Sequence, residues 1–402
     1  MVKILAVCEA FRYTSSHKRW ELLAELNKNI DVTLIAPDTY IDTTWHPVVK
    51  TFKTQPIDKE NFRVLPIRMK KRKFIRGGWL SFELFRILKR IKPDFIYLIG
   101  FETNNVIYEI DLIRKWFLPK TKIASFTMRG MDLPLQKKRF KRRWKLSTKI
   151  FDAIFCHYPH GMKVIQEQGN YNKPLFMQTQ VGVDEDVFKP NLKAREAIRE
   201  KYNLNDYFVF GTACRMESSK GIFDIIEALP LENDNWKLLM LGDGIEMKQF
   251  KAIISEKKLE ERVILTGFVS QGEAVSDHMN AMDCFIHFPK TTPTWIDTFP
   301  LAVVQAMAVG LPVIGSDSGA VPYQLGNLGK IIPEGDVQLL NKEIQLAMEN
   351  KAGMKNMGEQ LRNRVLKTFE IKHLTKCFKI SMMNIINEQY PSNQIDQTNF
   401  TF

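Results

Sequence analysis

The chain has 402 residues, 45% of them hydrophobic, enough to bury two cores and to exclude disorder as its general state. Its 58 Lys and Arg exceed its 45 Asp and Glu, leaving a net charge of +13. The five cysteines (Cys8, Cys156, Cys214, Cys284, Cys377) are scattered without a Cys-x-x-Cys pair, which suits a reducing compartment and argues against a disulfide framework or a zinc site.

From its start the chain reads as apolar, β-rich runs alternating with helical patterns. The first strand covers residues 2–8; it is broken by Lys3 and followed by Glu9 and Arg12, too short for a signal-peptide core. No later run reaches the roughly 18–20 apolar residues of a membrane-spanning helix. The expected location is therefore cytoplasmic. A loop through Ser15 and Ser16 leads to an amphipathic helix over 18–27, and strands follow at 31–37, 62–67, 95–100, 123–127 and 153–158. Apolar strands spaced by helices predict a parallel sheet covered on both faces.

Two basic stretches lie in this half, 68–76 (RMKKRKFIR) and 137–149 (KKRFKRRWKLSTK), both interleaved with aromatic or aliphatic residues. Three readings compete for them. One is a solvated face. Another is attraction to an anionic membrane surface, at roughly 1 kcal/mol per well-placed cation. The third is nucleic acid, disfavoured because no recognised binding motif accompanies the charge.

A charged helical linker over 191–202 precedes a second set of strands, at 208–214, 236–241, 262–265, 284–288, 312–316 and 330–332. The simplest organisation is two Rossmann-like domains, 1–190 and 191–370. An amphipathic helix over 371–390 would pack back on the first domain, and 391–402 is a loose tail. Two such α/β sheets predict a central cleft faced by the carboxyl ends of both sets of strands.

The chemistry concentrates in the second half. Arg215 and Lys220 lie on a strand-to-helix loop, where two cations and a helix N-terminus favour an anion such as a phosphate. Gly242 and Gly244 form a strand-end turn that lets backbone approach a ligand, and Val269 ends a further strand. A polar loop then carries Asp297; Pro300 suits the first turn of the next helix, Gln305 sits inside that helix eight residues after Asp297, and Gly310 ends it. Taken singly, each feature is as well explained by a surface charge pair or a plain turn.

Taken in order, these motifs resemble the retaining glycosyltransferases of the GT-B architecture, in the glycosyl transferases group 1 (family four) class. That pattern comprises Arg then Lys-Gly, a Gly-x-Gly turn, and an acidic residue followed by Phe-Gly-Leu. A second Glu stands eight positions after the first, then Ala-Met-Ala-x-Gly-x-Pro-Val-Ile and a Gly-Ala-x-Pro loop. In the first half, 126–132 (FTMRGMD) resembles the family's acceptor-side loop and Gln180-Val-Gly182-Val-Asp184 its interdomain signature. The resemblance implies that the first domain binds the acceptor and the second the nucleotide-sugar donor. By it, Arg215 and Lys220 hold the donor diphosphate and stabilise the leaving group, and Asp297 contacts the sugar hydroxyls. Gln305 reaches the ribose, and the backbone around Phe299, Pro300 and Leu301 faces the phosphates. Ser15, Ser16, Arg129 and His157 fall on the acceptor side. No cofactor or metal is implied beyond the nucleoside-diphosphate sugar.

The departures are specific. The usual glutamates are Asp297 and Gln305, the Gly after Phe is Pro300, a glycine pair is Ser15-Ser16, and a His is Arg129. Gln305 keeps an acceptor oxygen but lacks the charge. Two alternatives stay open, a catalytically degenerate sugar- or nucleotide-binding protein and a GT-B sugar-nucleotide epimerase. Asp184-Glu-Asp186 has the form of a metal motif without its strand-end context, and His157 with His160 lacks further ligands.

Overall fold

A computed structural model describes residues 1–13, 16–42, 50–68, 82–100, 106–127, 138–169, 171–390 and 395–396. The chain forms two compact units, one from residues 1–181 with 372–402, the other from 182–371.

The first unit is built on a nine-stranded sheet among the described residues. Its spatial order is Ile395–Asp396, Leu175–Met177, Ala153–Cys156, Lys122–Thr127, Phe95–Ile99, Val2–Val7, Ile30–Pro37, Phe62–Ile67 and Ile57–Lys59. Every pairing is parallel except the last. Ile395–Asp396 therefore adds a strand within the stretch expected to be a loose tail. The helix Ile371–Ile386 brings Phe378, Met382 and Ile385 into this unit's core. The Phe378 ring centre lies 5.0–5.6 Å from those of Tyr97, Trp20 and Phe155.

Arg19, on the helix Lys18–Glu25, is 4% exposed and has no carboxylate partner among the described residues. Its guanidinium donates instead to the carbonyls of Thr179 (3.0 Å) and Leu374 (3.3 Å) and to Gln178 Oε1 (3.0 Å), and it lies 4.5 Å over the Phe378 ring. Burial pulls its pKa down to about 10, so the group remains a cation at neutral pH.

The second unit holds a six-stranded, all-parallel sheet in the order Val263–Leu265, Trp236–Leu241, Phe208–Ala213, Cys284–His287, Val313–Ser316, Lys330–Ile332. Counted along the chain this is 3-2-1-4-5-6, the doubly wound nucleotide-binding order, with buried clusters on both faces. The stretch expected as a linker is the helix Leu192–Lys201, part of this unit. Asn191 caps it by accepting from Ala194 N, and Arg195 and Arg199 both pair with Asp283. The unit begins nearer 182 than 191 because Val183 bridges to Glu370 and Phe188 joins its core.

Candidate functional site

In the second sheet the strand order reverses between Phe208–Ala213 and Cys284–His287, and the loops leaving their carboxyl ends diverge there. Such a switch point is where open α/β sheets bind ligands. The first loop carries Arg215 and, in the 3-10 turn Ser218–Lys220, Lys220. The second runs from Phe288 to Pro300 and carries Trp295 and Asp297 before the helix Leu301–Ala308.

Two glycines, Gly221 in the first loop and Gly319 in the loop after the strand Val313–Ser316, let their loops pack against the second. Gly221 has φ +67°, and a Cβ there would lie 1.8 Å from the Phe288 carbonyl oxygen. Gly319 has φ +57°, and its Cβ would lie 2.0 Å from the Asp297 carbonyl oxygen. That same oxygen accepts from Ala320 N at 2.9 Å, so the Gly-Ala-x-Pro loop anchors the acidic loop from behind. Any side chain at either position would be strained and would push the loops apart.

The loops converge on one carboxylate. Lys220 Nζ donates to Asp297 Oδ2 at 2.7 Å, and His287 Nε2 lies 3.1 Å from the same oxygen. Lys220 Nζ also sits 4.3 Å above the Trp295 ring centre, a cation–π contact. Asp297 and His287 are both buried. Burial alone would raise the Asp297 carboxyl, but the hydrogen bond from His287 and the charge of Lys220 outweigh it and hold the group down to about 2. Burial lowers His287 more than Asp297 raises it, so its imidazole is neutral at pH 7. Asp297 can only accept, which assigns the proton to Nε2 and leaves Nδ1 bare and buried, unpartnered among the described residues. The result is a carboxylate fixed by two donors on one oxygen, beside a lysine held against an indole.

The other expected residues fall into separate groups. Arg215 pairs with Glu217 at 2.7 Å. Gly242 and Gly244 lie in the turn after Trp236–Leu241, against the backbones of Cys214 and Met216. Gln305 is buried in the helix Leu301–Ala308, its side-chain amide without a partner among the described residues. Phe299 packs edge-on against Phe369 at 5.7 Å, and Leu301 and Val269 pack on the same core, so these three can offer a ligand little beyond their backbone. Pro300 is the residue before the helix rather than its first turn, and its carbonyl accepts from Gln324 Nε2 at 3.2 Å.

In the first unit, the Ser16 hydroxyl donates to the carbonyls of Ala10 and Tyr13, both at 2.7 Å, closing the loop after Val2–Val7. His157 is buried edge-on against Phe126 at 4.6 Å, with Nδ1 3.1 Å from Thr179 Oγ1. Ser15, Arg129 and most of the basic stretch 68–76 lie outside the described residues, whereas the second basic stretch forms the helix Lys138–Thr148. No cluster of His, Cys, Asp or Glu able to hold a metal occurs among the described residues. Sequence reasoning missed His287 and gave Trp295 no role. The one available signal was His287 itself, the sole polar residue in the run 284–288.

The buried pair sets a pH dependence. His287 titrates below its ordinary 6.5 in the folded chain, so the unfolded chain takes up the proton first; its contribution is complete above that pH and erodes as pH falls. Asp297, lowered from 3.8 to about 2, contributes above about pH 4 and loses that contribution on further acidification. We expect His287→Gln to flatten the fall of unfolding free energy between pH 7 and 5, by at most about 1.4 kcal/mol per pH unit, in urea titrations. A variant with the wild-type slope would refute a neutral buried His287.

Comparison with known proteins bears on the same half of the chain. Residues 194–364 match the family described as glycosyl transferases group 1. The amylovoran biosynthesis glycosyltransferase AmsK of Erwinia amylovora is 31% identical over 169 residues, 40% of this chain and 39% of that protein. The GDP-mannose-dependent phosphatidylinositol monomannoside mannosyltransferase of Mycolicibacterium smegmatis is 29% identical over 170 residues, 40% of this chain and 44% of that protein. The chain thus spans about two fifths of the length of these curated relatives. The crystal structure of Anabaena HepE in complex with UDP superposes with a TM-score of 0.71 at 13% identity, over 96% of this chain and 100% of HepE. That likeness is one of fold, and the fold is GT-B, two Rossmann-like α/β units on parallel sheets.

Proposed function

We propose that this chain, whose second unit belongs to the glycosyl transferases group 1, moves a sugar from a nucleoside-diphosphate donor to a glycan or lipid-linked acceptor, with retention and without a metal. The observation that carries the reading is the Lys220–Asp297–His287 cluster at the switch point of the second sheet. In this reading Lys220 and Arg215 swing from their carboxylate partners to the donor diphosphate and neutralise the charge that grows as the glycosidic bond breaks. Asp297, kept ionised by its low pKa, accepts hydrogen bonds from sugar hydroxyls, and His287 keeps it oriented. Gln305 reaches the ribose through its amide. The UDP held by HepE supports a nucleotide donor. The first unit, with Ser16 and His157, takes the acceptor. With a net charge of +13, the protein works in the cytoplasm as a peripheral enzyme on the inner face of a membrane.

Thermal stability against a panel of nucleoside diphosphates and their sugar conjugates tests this. One nucleotide at a hundredfold excess over its Kd should stabilise the fold by about 2.7 kcal/mol. Arg215→Ala should remove the shift, and release of nucleoside diphosphate should persist in EDTA. No shift with any nucleotide would defeat the reading. A second reading, a binder without catalysis, is motivated by Gln305, an amide where the family has a carboxylate; binding without release would identify it.

A further inference from the structure

The first unit carries an aromatic surface that the proposed chemistry does not use. Phe82 is 67% exposed, Leu112 59%, Trp116 76% and Phe117 52%, on the helices Phe82–Ile91 and Val106–Phe117. The rings are continuous across the two helices: Phe82 stacks on Phe85 with centres 6.2 Å apart, and Phe85 meets Phe117 edge-on at 5.3 Å. Cations lie over these rings. The Arg86 guanidinium is 4.3 Å from the Phe82 centre, and Lys89 Nζ is 5.8 Å from Phe85 and 5.7 Å from Phe117. Among the described residues Arg86, Lys89 and Arg90 have no carboxylate partner, and Glu83 is the one acid on their helix. A hollow of about 430 Å³, lined by Pro66, Ile67, Glu83, Arg86, Ile87 and Arg90, runs along the same helix.

We propose that this helix pair is a docking surface for an anionic phospholipid bilayer. Large contiguous apolar patches on a folded surface mark protein or membrane contacts. Lysine is depleted at protein interfaces, whereas here Lys89 lies over both the Phe85 and Phe117 rings. Aromatic rings flanked by unpaired cations match the bilayer interface: the rings enter at headgroup level while the cations meet lipid phosphates. The hollow sets the Arg86 and Arg90 guanidinium groups and the Glu83 carboxylate, one net positive charge, beside apolar Pro66, Ile67 and Ile87, suited to one singly charged phosphodiester and the first carbons of its lipid. No helix among the described residues is long and apolar enough to cross a membrane, so the contact is made from the surface. The inference deepens the membrane reading above and rests on it for its biological sense. Its test involves no sugar donor, so the two can fail separately.

The experiment is sedimentation of the full chain with vesicles of phosphatidylcholine alone and of phosphatidylcholine mixed equally with phosphatidylglycerol. Binding is expected only to the mixed vesicles. The double substitution Phe82→Ser with Trp116→Ser should lower the partition at least tenfold, and Arg86→Glu with Lys89→Glu roughly fivefold or more per cation. Unchanged circular dichroism and Tm are expected for both, since all four side chains are exposed. Equal binding to neutral vesicles, or mixed-vesicle binding that survives both double variants, overturns the proposal. So does an aromatic variant that turns an oligomeric wild type monomeric while vesicle binding stays intact, which would make the patch a self-association face.

Discussion

Lys220→Met is expected to lower nucleoside diphosphate release from the donor sugar by roughly 10²–10³-fold in kcat, the usual loss when one preorganised group facing developing charge is removed. Methionine keeps most of the length and the packing against Trp295 but supplies no charge. Asp297 would keep the His287 bond, yet with the lysine gone its carboxyl should titrate higher, since the Lys220 charge helps to hold it at about 2. The activity profile of the residual enzyme should therefore shift its acid limb toward higher pH. Stopped assays of nucleoside diphosphate release, with KM measured alongside, separate two roles. A fall in kcat with KM little changed places Lys220 at the leaving group. A rise in KM alone would make it a ground-state binding residue, and full activity would leave it only the structural partner of Asp297.

The largest expected effect on stability belongs to Arg19. Its guanidinium satisfies the carbonyls of Thr179 and Leu374 and Gln178 Oε1 in a site closed to water. Arg19→Ala would leave those acceptors buried without their donor and open a cavity under Phe378, for a cost of roughly 3–5 kcal/mol. In a domain of this size that corresponds to a Tm lower by roughly 6–20 °C. Arg19→Met, which fills the space without the donors, should recover only the cavity part of the loss. Thermal denaturation followed by circular dichroism reads both. A loss below about 1 kcal/mol in Arg19→Ala would mean that the desolvation of the cation had already cancelled its hydrogen bonds.

Most of the second sheet was legible as sequence, for a physical reason. Strands buried on both faces read as continuous apolar runs ended by Gly, Pro or charge, and Trp236–Leu241 coincides with its predicted limits. The strands that escaped notice are short or lie at an edge. Ile57–Lys59 and Leu175–Met177 have three residues each, too few to display a period, and Ile395–Asp396 has two. Asp297 and Lys220 stood out through their place in an ordered motif set, but their contact spans 77 residues and appears only once strands 1 and 4 are neighbours. His287 and Trp295 stayed silent because a lone histidine in an apolar run and a loop tryptophan have bland readings. Arg19 reads as one more charge on an amphipathic helix; partners 159 and 355 residues away put it in the interior.

The discontinuity of the first unit has a consequence for biogenesis. Its first 181 residues emerge from the ribosome well before helix Ile371–Ile386, whose Phe378 and Met382 complete their core. At about 5–20 residues per second the second unit occupies the ribosome for tens of seconds in between. During that interval the faces of Trp20 and Tyr97 that Phe378 later covers stay open, and the carbonyl of Leu374 that Arg19 requires does not yet exist. The inserted unit, one continuous stretch, can mature first. The nascent first unit is then the species that chaperones must shield, and a slower ribosome would lengthen its exposure.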